Sequence, residues 1–125
     1  REYSYAPYSN CHVGAALLSK DGRVFRGCNI ENAAFGPTNC AERTAIFKAI
    51  SEGVRDFEKI AVVGGRGEQI SGHYPPCGVC RQVLREFCPD TEHFVVLLGT
   101  PEEIKSFTLE ELLPESFGPD DVTSI

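Results

Sequence analysis

Two cysteine-bearing stretches have the residue types and spacing to do chemistry: "NCAERTA" at 39–45 and "PPCGVCRQV" at 75–83. In the second, Cys77 and Cys80 stand three apart. That spacing lets two thiolates at a helix N-terminus grip one ion, where the dipole and free N–H groups favour negative charge. The same C-x-x-C also suits a redox pair, or two small buried residues. Cys40 tips the balance towards metal, because it opens the other helix, and two helix starts aimed at one place would gather three thiolates. Three protein ligands leave zinc a fourth, open position, as in catalytic rather than structural sites, and a water held there has its pKa lowered to about 7.

Glu42 follows Cys40 by two residues, where its carboxylate could take a proton from such a water and deliver it to a substrate. The competing reading is a capping box. With Asn39 as cap, Glu42 is the third helical residue, where a glutamate folds back on the cap N–H. C-x-E and P-C-x-x-C in one chain favour the chemical role. His73, four residues before Cys77, offers a non-enzymatic alternative: as a fourth ligand it would close a structural zinc module and leave Glu42 without a purpose.

These groups must be positioned by a small α/β framework. A strand over 13–19, a turn at "KDG" and a strand over 23–29 read as a hairpin. Asn39 is expected to cap a helix over 40–52, stopped by Gly53. The apolar runs at 59–64 and 93–98 read as strands covered on both faces. Between them a second helix starts behind two prolines and runs to 87. A strand near 104–107 and a capping box, Thr108 with Glu111, open the helical "LEELL". The expectation is a three-layer α/β/α sandwich with a mixed sheet of about five strands. The glycine-rich "GGRGEQ" lacks the Lys-Ser/Thr of a phosphate loop, and Cys28 and Cys88 read as small buried residues.

At 125 residues and 42% hydrophobic, the chain reads as one domain over 1–125. Its opening on Arg1 rather than Met is compatible with a missing N-terminal segment. The apolar runs are too short for a bilayer, which needs about 20 residues. With no signal peptide and six scattered cysteines, a cytoplasmic, reducing setting is expected. The net charge of −6 and the lack of a basic run disfavour nucleic acid as a partner.

In order, "YAPYSN", "VGAALL", "GCNIENA", "NCAERTA", "PCGVCRQV" and "LEELLPESFGP" cover nearly all of 3–119, and together they resemble the zinc-dependent cytidine deaminases that act on free nucleosides. The resemblance implies hydrolysis of cytidine and 2′-deoxycytidine to the uridines with loss of ammonia. It makes Cys40, Cys77 and Cys80 the ligands of one zinc per chain and Glu42 the proton shuttle. It also implies that Asn29 and Glu31 hold the ribose hydroxyls. That agrees with an amide and a carboxylate two apart on an extended segment, which face the same way.

By the same resemblance the N–H of Ala41 binds the pyrimidine carbonyl. Arg43 donates to the thiolates, offsetting the net charge of about −1 that three of them leave on a divalent ion. Arg81 either shares that task or is a solvated helix residue. The resemblance further implies a homotetramer in which Phe117 and Phe35 contribute rings to neighbouring pockets. Two departures stand out: Cys11 occupies a position where the family usually has phenylalanine against the base, and Pro75 one where it more often has serine. The first implies a looser base pocket, so Cys11→Phe is expected to lower KM for cytidine, and deamination of another aminopyrimidine nucleoside such as blasticidin S is kept as an alternative.

Overall fold

The computed structural model describes residues 3–67 and 69–123; Arg1 and Glu68 of the glycine-rich stretch lie outside them. The opening hairpin is β1 (Cys11–Ser19) and β2 (Val24–Cys28), with Gly22 at φ +91° in the connection. β1 starts two residues earlier than its alternation indicates. Its second neighbour, β3 (Phe57–Arg66), extends beyond its apolar run in the same way, because the two strands pair antiparallel out to Cys11 opposite Arg66. Ladder hydrogen bonds thus lengthen both strands past the hydrophobic signal.

Helix α1 spans Ala41–Ser51 and α2 spans Gly78–Phe87, followed by β4 (Val95–Gly99) and β5 (Ile104–Thr108). The expected capping box opens α3 (Leu109–Leu112): Glu111 N donates to Thr108 Oγ1 at 3.2 Å, and Thr108 N donates to Glu111 Oε1 at 2.8 Å. A short helix α4 (Pro119–Thr123) was not expected.

The strand order is β2-β1-β3-β4-β5, with β3 and β4 parallel and the other pairs antiparallel. β2, β3 and β4 therefore run the same way, and the crossovers through α1 and α2 step across the sheet in one direction. Right-handed crossovers in one direction put both helices on one face. The core sits there, with Leu17, Ile60 and Val96 from the sheet packed among Ala45, Ile46, Leu84 and Leu109, all fully buried. α1 descends closely onto β2 at Gly27, where a Cβ would come within 2.4 Å of the Ala41 carbonyl oxygen.

An α/β fold with a mixed five-stranded sheet is thus present as expected. Ala16, Leu18, Ala61, Val63, Val95 and Leu97 alternate onto the other face of the sheet and are part-buried. No helix among the described residues is long and apolar enough to cross a membrane.

Candidate active site

Both long helices begin immediately after a ligand-type cysteine. Cys40 is the N-cap of α1 and Cys77 that of α2, both with extended backbone and neither making a side-chain cap bond. A thiol is a poor capping acceptor, so the first N–H groups of each helix keep their positive end directed at the sulfurs. The Cys40 and Cys77 sulfurs lie 4.0 Å apart, those of Cys77 and Cys80 3.6 Å. All three lie within 4.8 Å of one another. A tetrahedral zinc with Zn–S near 2.3 Å requires sulfurs about 3.8 Å apart. The set therefore fits that ion with one position left over.

Around the sulfurs the electrostatics favour an anion. The Cys40 thiol is lowered to about 5, chiefly by the hydrogen bond from the Cys80 thiol and then by the Arg43 guanidinium, against the opposing effect of burial. Cys80 is pushed up in return, because it holds the shared proton and is buried. Arg43 Nη2 donates to Cys40 Sγ at 3.2 Å, as the resemblance implies.

Glu42 is only 5% exposed. Burial raises its pKa first and the neighbouring Cys40 charge adds to the rise, so it holds a proton nearer to neutral pH than an ordinary carboxylate. The capping reading of this residue fails for a structural reason. Asn39 is not the cap, since its backbone pairs with Ile30 in both directions at 2.8 Å and its side chain donates to Thr44 Oγ1 at 3.1 Å. The helix therefore starts one residue later than expected, and Glu42 is the second helical residue.

Beside this cluster opens a cavity of about 240 Å³ lined by Cys40, Ala41, Glu42 and Cys77 at one end and by Asn29, Glu31 and Ser9 at the other. Asn29 is buried: its Oδ1 accepts from Val13 N at 2.9 Å and its Nδ2 donates to Cys11 O at 2.8 Å. One N–H and one lone pair remain for a ligand. Glu31 accepts from the N–H groups of Tyr8 and Ser9 at 3.0 and 3.2 Å and from the Ser9 hydroxyl. A carboxylate has about four acceptor sites, so one is still free for a sugar hydroxyl. Ala41 is fully buried, and as the first helical residue its N–H has no partner within the helix.

Several sequence-derived candidates stand elsewhere. Arg81 neither joins the thiolates nor floats in solvent: Nε donates to Pro76 O and Nη1 to Leu112 O, each at 2.7 Å, which ties the segment before the ligands to the end of α3. Phe35 is 71% exposed at φ 63°, edge-on to Tyr8 with centroids 6.2 Å apart, and Phe117 is 61% exposed. Neither lines the cavity of its own chain. His73 is not a fourth ligand. Among the described residues the metal-capable cluster is the three cysteines alone, and His73 Nε2 faces Glu103 Oε1 at 3.5 Å. Cys88 is buried as expected, Cys28 only partly.

Cys11 and Pro75 do line the cavity, together with Tyr74, which sequence reasoning missed. The Tyr74 hydroxyl donates to Cys11 Sγ at 3.8 Å. A bulky polar-tipped ring directly before P-P-C was the available signal, but only the sheet register brings it beside residue 11.

Residues 1–97 match the family model described as the cytidine and deoxycytidylate deaminase zinc-binding region. The chain is 55% identical over 124 residues to the cytidine deaminase of Halalkalibacterium halodurans, covering 98% of this chain and 89% of that one. It is 49% identical to that of Sporosarcina psychrophila, with 98% and 87% covered. Among solved structures, the cytidine deaminase of Burkholderia pseudomallei superposes with a TM-score of 0.83 at 48% identity, over 94% of this chain and 90% of that one. The Mycobacterium tuberculosis cytidine deaminase gives 0.75 at 39% identity, over 94% and 87%.

Proposed function

The chain belongs to the cytidine deaminase family, and from that premise we propose that it hydrolyses the 4-amino group of cytidine and 2′-deoxycytidine, releasing ammonia and the matching uridine. The observation that carries this reading is a buried Glu42 beside three convergent sulfurs, in one cavity with Asn29 and Glu31.

Cys40, Cys77 and Cys80 would hold the zinc, which when bound supplies the Lewis acidity that makes water nucleophilic at neutral pH. Glu42 accepts the proton lost by the attacking water and passes it to the ring nitrogen; it then takes the proton of the new C4 hydroxyl and delivers it to the amine as the C4–N bond breaks and the carbonyl forms. Its raised pKa suits a group that must both take and give a proton. The Ala41 N–H holds the ring carbonyl. Asn29 and Glu31 hold the ribose, and the binding energy of this remote group keeps C4 near attack distance, so free cytosine is a poor substrate.

The homotetramer belongs to the same proposal. Phe47 and Val79, exposed on the α1–α2 surface, and the exposed rings of Phe35 and Phe117 support burial against further copies of the chain. Six free cysteines are in keeping with a reducing, cytoplasmic site of action. A second reading, deamination of another aminopyrimidine nucleoside, rests on the small Cys11 side chain in the cavity wall.

The test is the ultraviolet change on mixing zinc-loaded protein with cytidine, deoxycytidine, free cytosine and a blasticidin-type nucleoside, each beside Glu42→Gln. Cytidine turnover that falls about 10²–10⁴-fold in the variant, with zinc retained, is expected. Turnover confined to the blasticidin-type nucleoside would replace the first reading with the second, and equal rates on free cytosine would remove the ribose roles.

A further inference from the structure

We propose that Tyr74 is a specificity-determining residue whose ring forms the wall against which the substrate base lies, held there by Gly64 and Cys11; this rests on the deaminase reading above. The base must lie between the ribose end and the sulfur end of the cavity. The two residues that meet across that middle are Cys11, whose carbonyl accepts from Asn29 Nδ2, and Tyr74, three residues before Cys77.

The ring is braced on two sides. Gly64 on β3 stands opposite Val13 on β1, and Cys11 lies two residues before Val13 on the same face. A Cβ at Gly64 would come within 2.8 Å of Tyr74 Cγ and 3.0 and 3.1 Å of the two Cδ atoms. Only glycine lets the ring lie that close to the strand. On the other side the hydroxyl reaches Cys11 Sγ at 3.8 Å, so the small residue at 11 leaves the space that the ring of residue 74 approaches. The ring also packs against the hydrophobic core, which limits its freedom before a ligand arrives. Gly64 thereby gains a role that phosphate binding does not provide.

A consequence reverses the direction expected from sequence for Cys11→Phe. A second ring at position 11 competes with Tyr74 for one space, so the single variant raises KM rather than lowering it.

The experiment measures KM and kcat for cytidine in the zinc-loaded enzyme, and cytidine affinity by calorimetry in the Glu42→Gln background, for five changes. Loss of ring stacking in Tyr74→Leu, which keeps apolar bulk, is expected to raise KM and Kd about tenfold while kcat changes less than about threefold. Tyr74→Phe keeps the ring and stays within about threefold of the unmodified enzyme. Gly64→Ala displaces the ring and reproduces the Tyr74→Leu rise. Cys11→Phe raises KM, and Cys11→Phe with Tyr74→Val restores it, because one ring again faces the base. Zinc content and thermal midpoint identify variants that have lost their fold, and the Phe variant and the double variant then decide.

An active enzyme whose KM and Kd ignore residue 74, or a Cys11→Phe effect that is the same with Val as with Tyr at position 74, would overturn the proposal. Cytidine that binds in a Tyr74-dependent way but is never turned over would instead sink the deaminase reading and leave the wall in place.

Discussion

At the sulfur end of the cavity the three clustered cysteines and Glu42 come from two helix starts, 40–42 and 77–80, whereas at the other end Ser9, Cys11, Asn29, Glu31 and Tyr74 come from separate segments brought together by the fold. The first end is set by short-range geometry: one helix turn fixes Cys77 relative to Cys80, and only one long-range relation, between α1 and α2, must be right. The second depends on strand register, since a one-residue slip turns every side chain to the opposite face. The sulfur end should therefore fail as a unit, and the ribose and base end by degrees.

Cys80→Ala tests that contrast most severely. Cys80 is fully buried between two other sulfurs, so its loss leaves two ligands and should abolish both zinc retention and turnover. Metal analysis after dialysis checks this; one zinc per chain in an active variant would break the picture of a unit.

Arg43→Gln should be milder, about 10–100-fold in metal affinity or kcat/KM, because Arg43 acts on the sulfurs by donating to them, as at 3.2 Å to Cys40, and is not itself a ligand. A loss as complete as that of Cys80→Ala would move Arg43 among the indispensable groups, and no loss would remove its role in charge compensation.

At the graded end, Glu31→Gln should raise KM about tenfold and leave zinc untouched, the scale of one hydrogen bond to a charged group. The Ser9 hydroxyl, followed by the Tyr8 and Ser9 N–H groups, holds the Glu31 pKa below its ordinary 4.5. A depressed carboxylate keeps its charge above that value and loses it only as pH falls through its own lower pKa. The contribution of Glu31 to KM should then stay flat between about pH 7 and pH 5, the difference between Glu31→Gln and the unmodified enzyme being constant across it. A difference that shrinks by pH 5 would show that the hydrogen bonds do not hold the charge.

Much of the sulfur end was legible from residue types alone. C-x-E and P-C-x-x-C name the donors, and the helix starts that carry them follow from apolar periodicity and the two prolines. What slipped there was local competition. Asn39 has the side chain of a cap, yet its backbone is taken by a bridge to Ile30, and the start of α1 moves by one residue. Adjacency to Cys80 left Arg81 open between a donor to the thiolates and a solvated helix residue, but a helix turns about 100° per residue, and its guanidinium points instead to Pro76 and Leu112. The lengths of β1 and β3 were underestimated because ladder bonds extend pairing beyond the residues that are apolar.

By itself the sequence determined a C-x-x-C pair within one helix turn and an α/β fold with a mixed sheet, because these follow from donor type, local spacing and hydrophobic period; the resemblance to the deaminases added the proposed roles of Cys40, Cys77 and Cys80 as ligands and Glu42 as the acid. Tertiary structure alone decided that both helices share one face, that His73 turns to Glu103 rather than to the sulfurs, and that Tyr74 meets Cys11 over Gly64. These outcomes depend on crossover handedness and on register between distant strands. Such relations join separate segments of the chain, as in the 63 positions between Cys11 and Tyr74, and no local pattern encodes them.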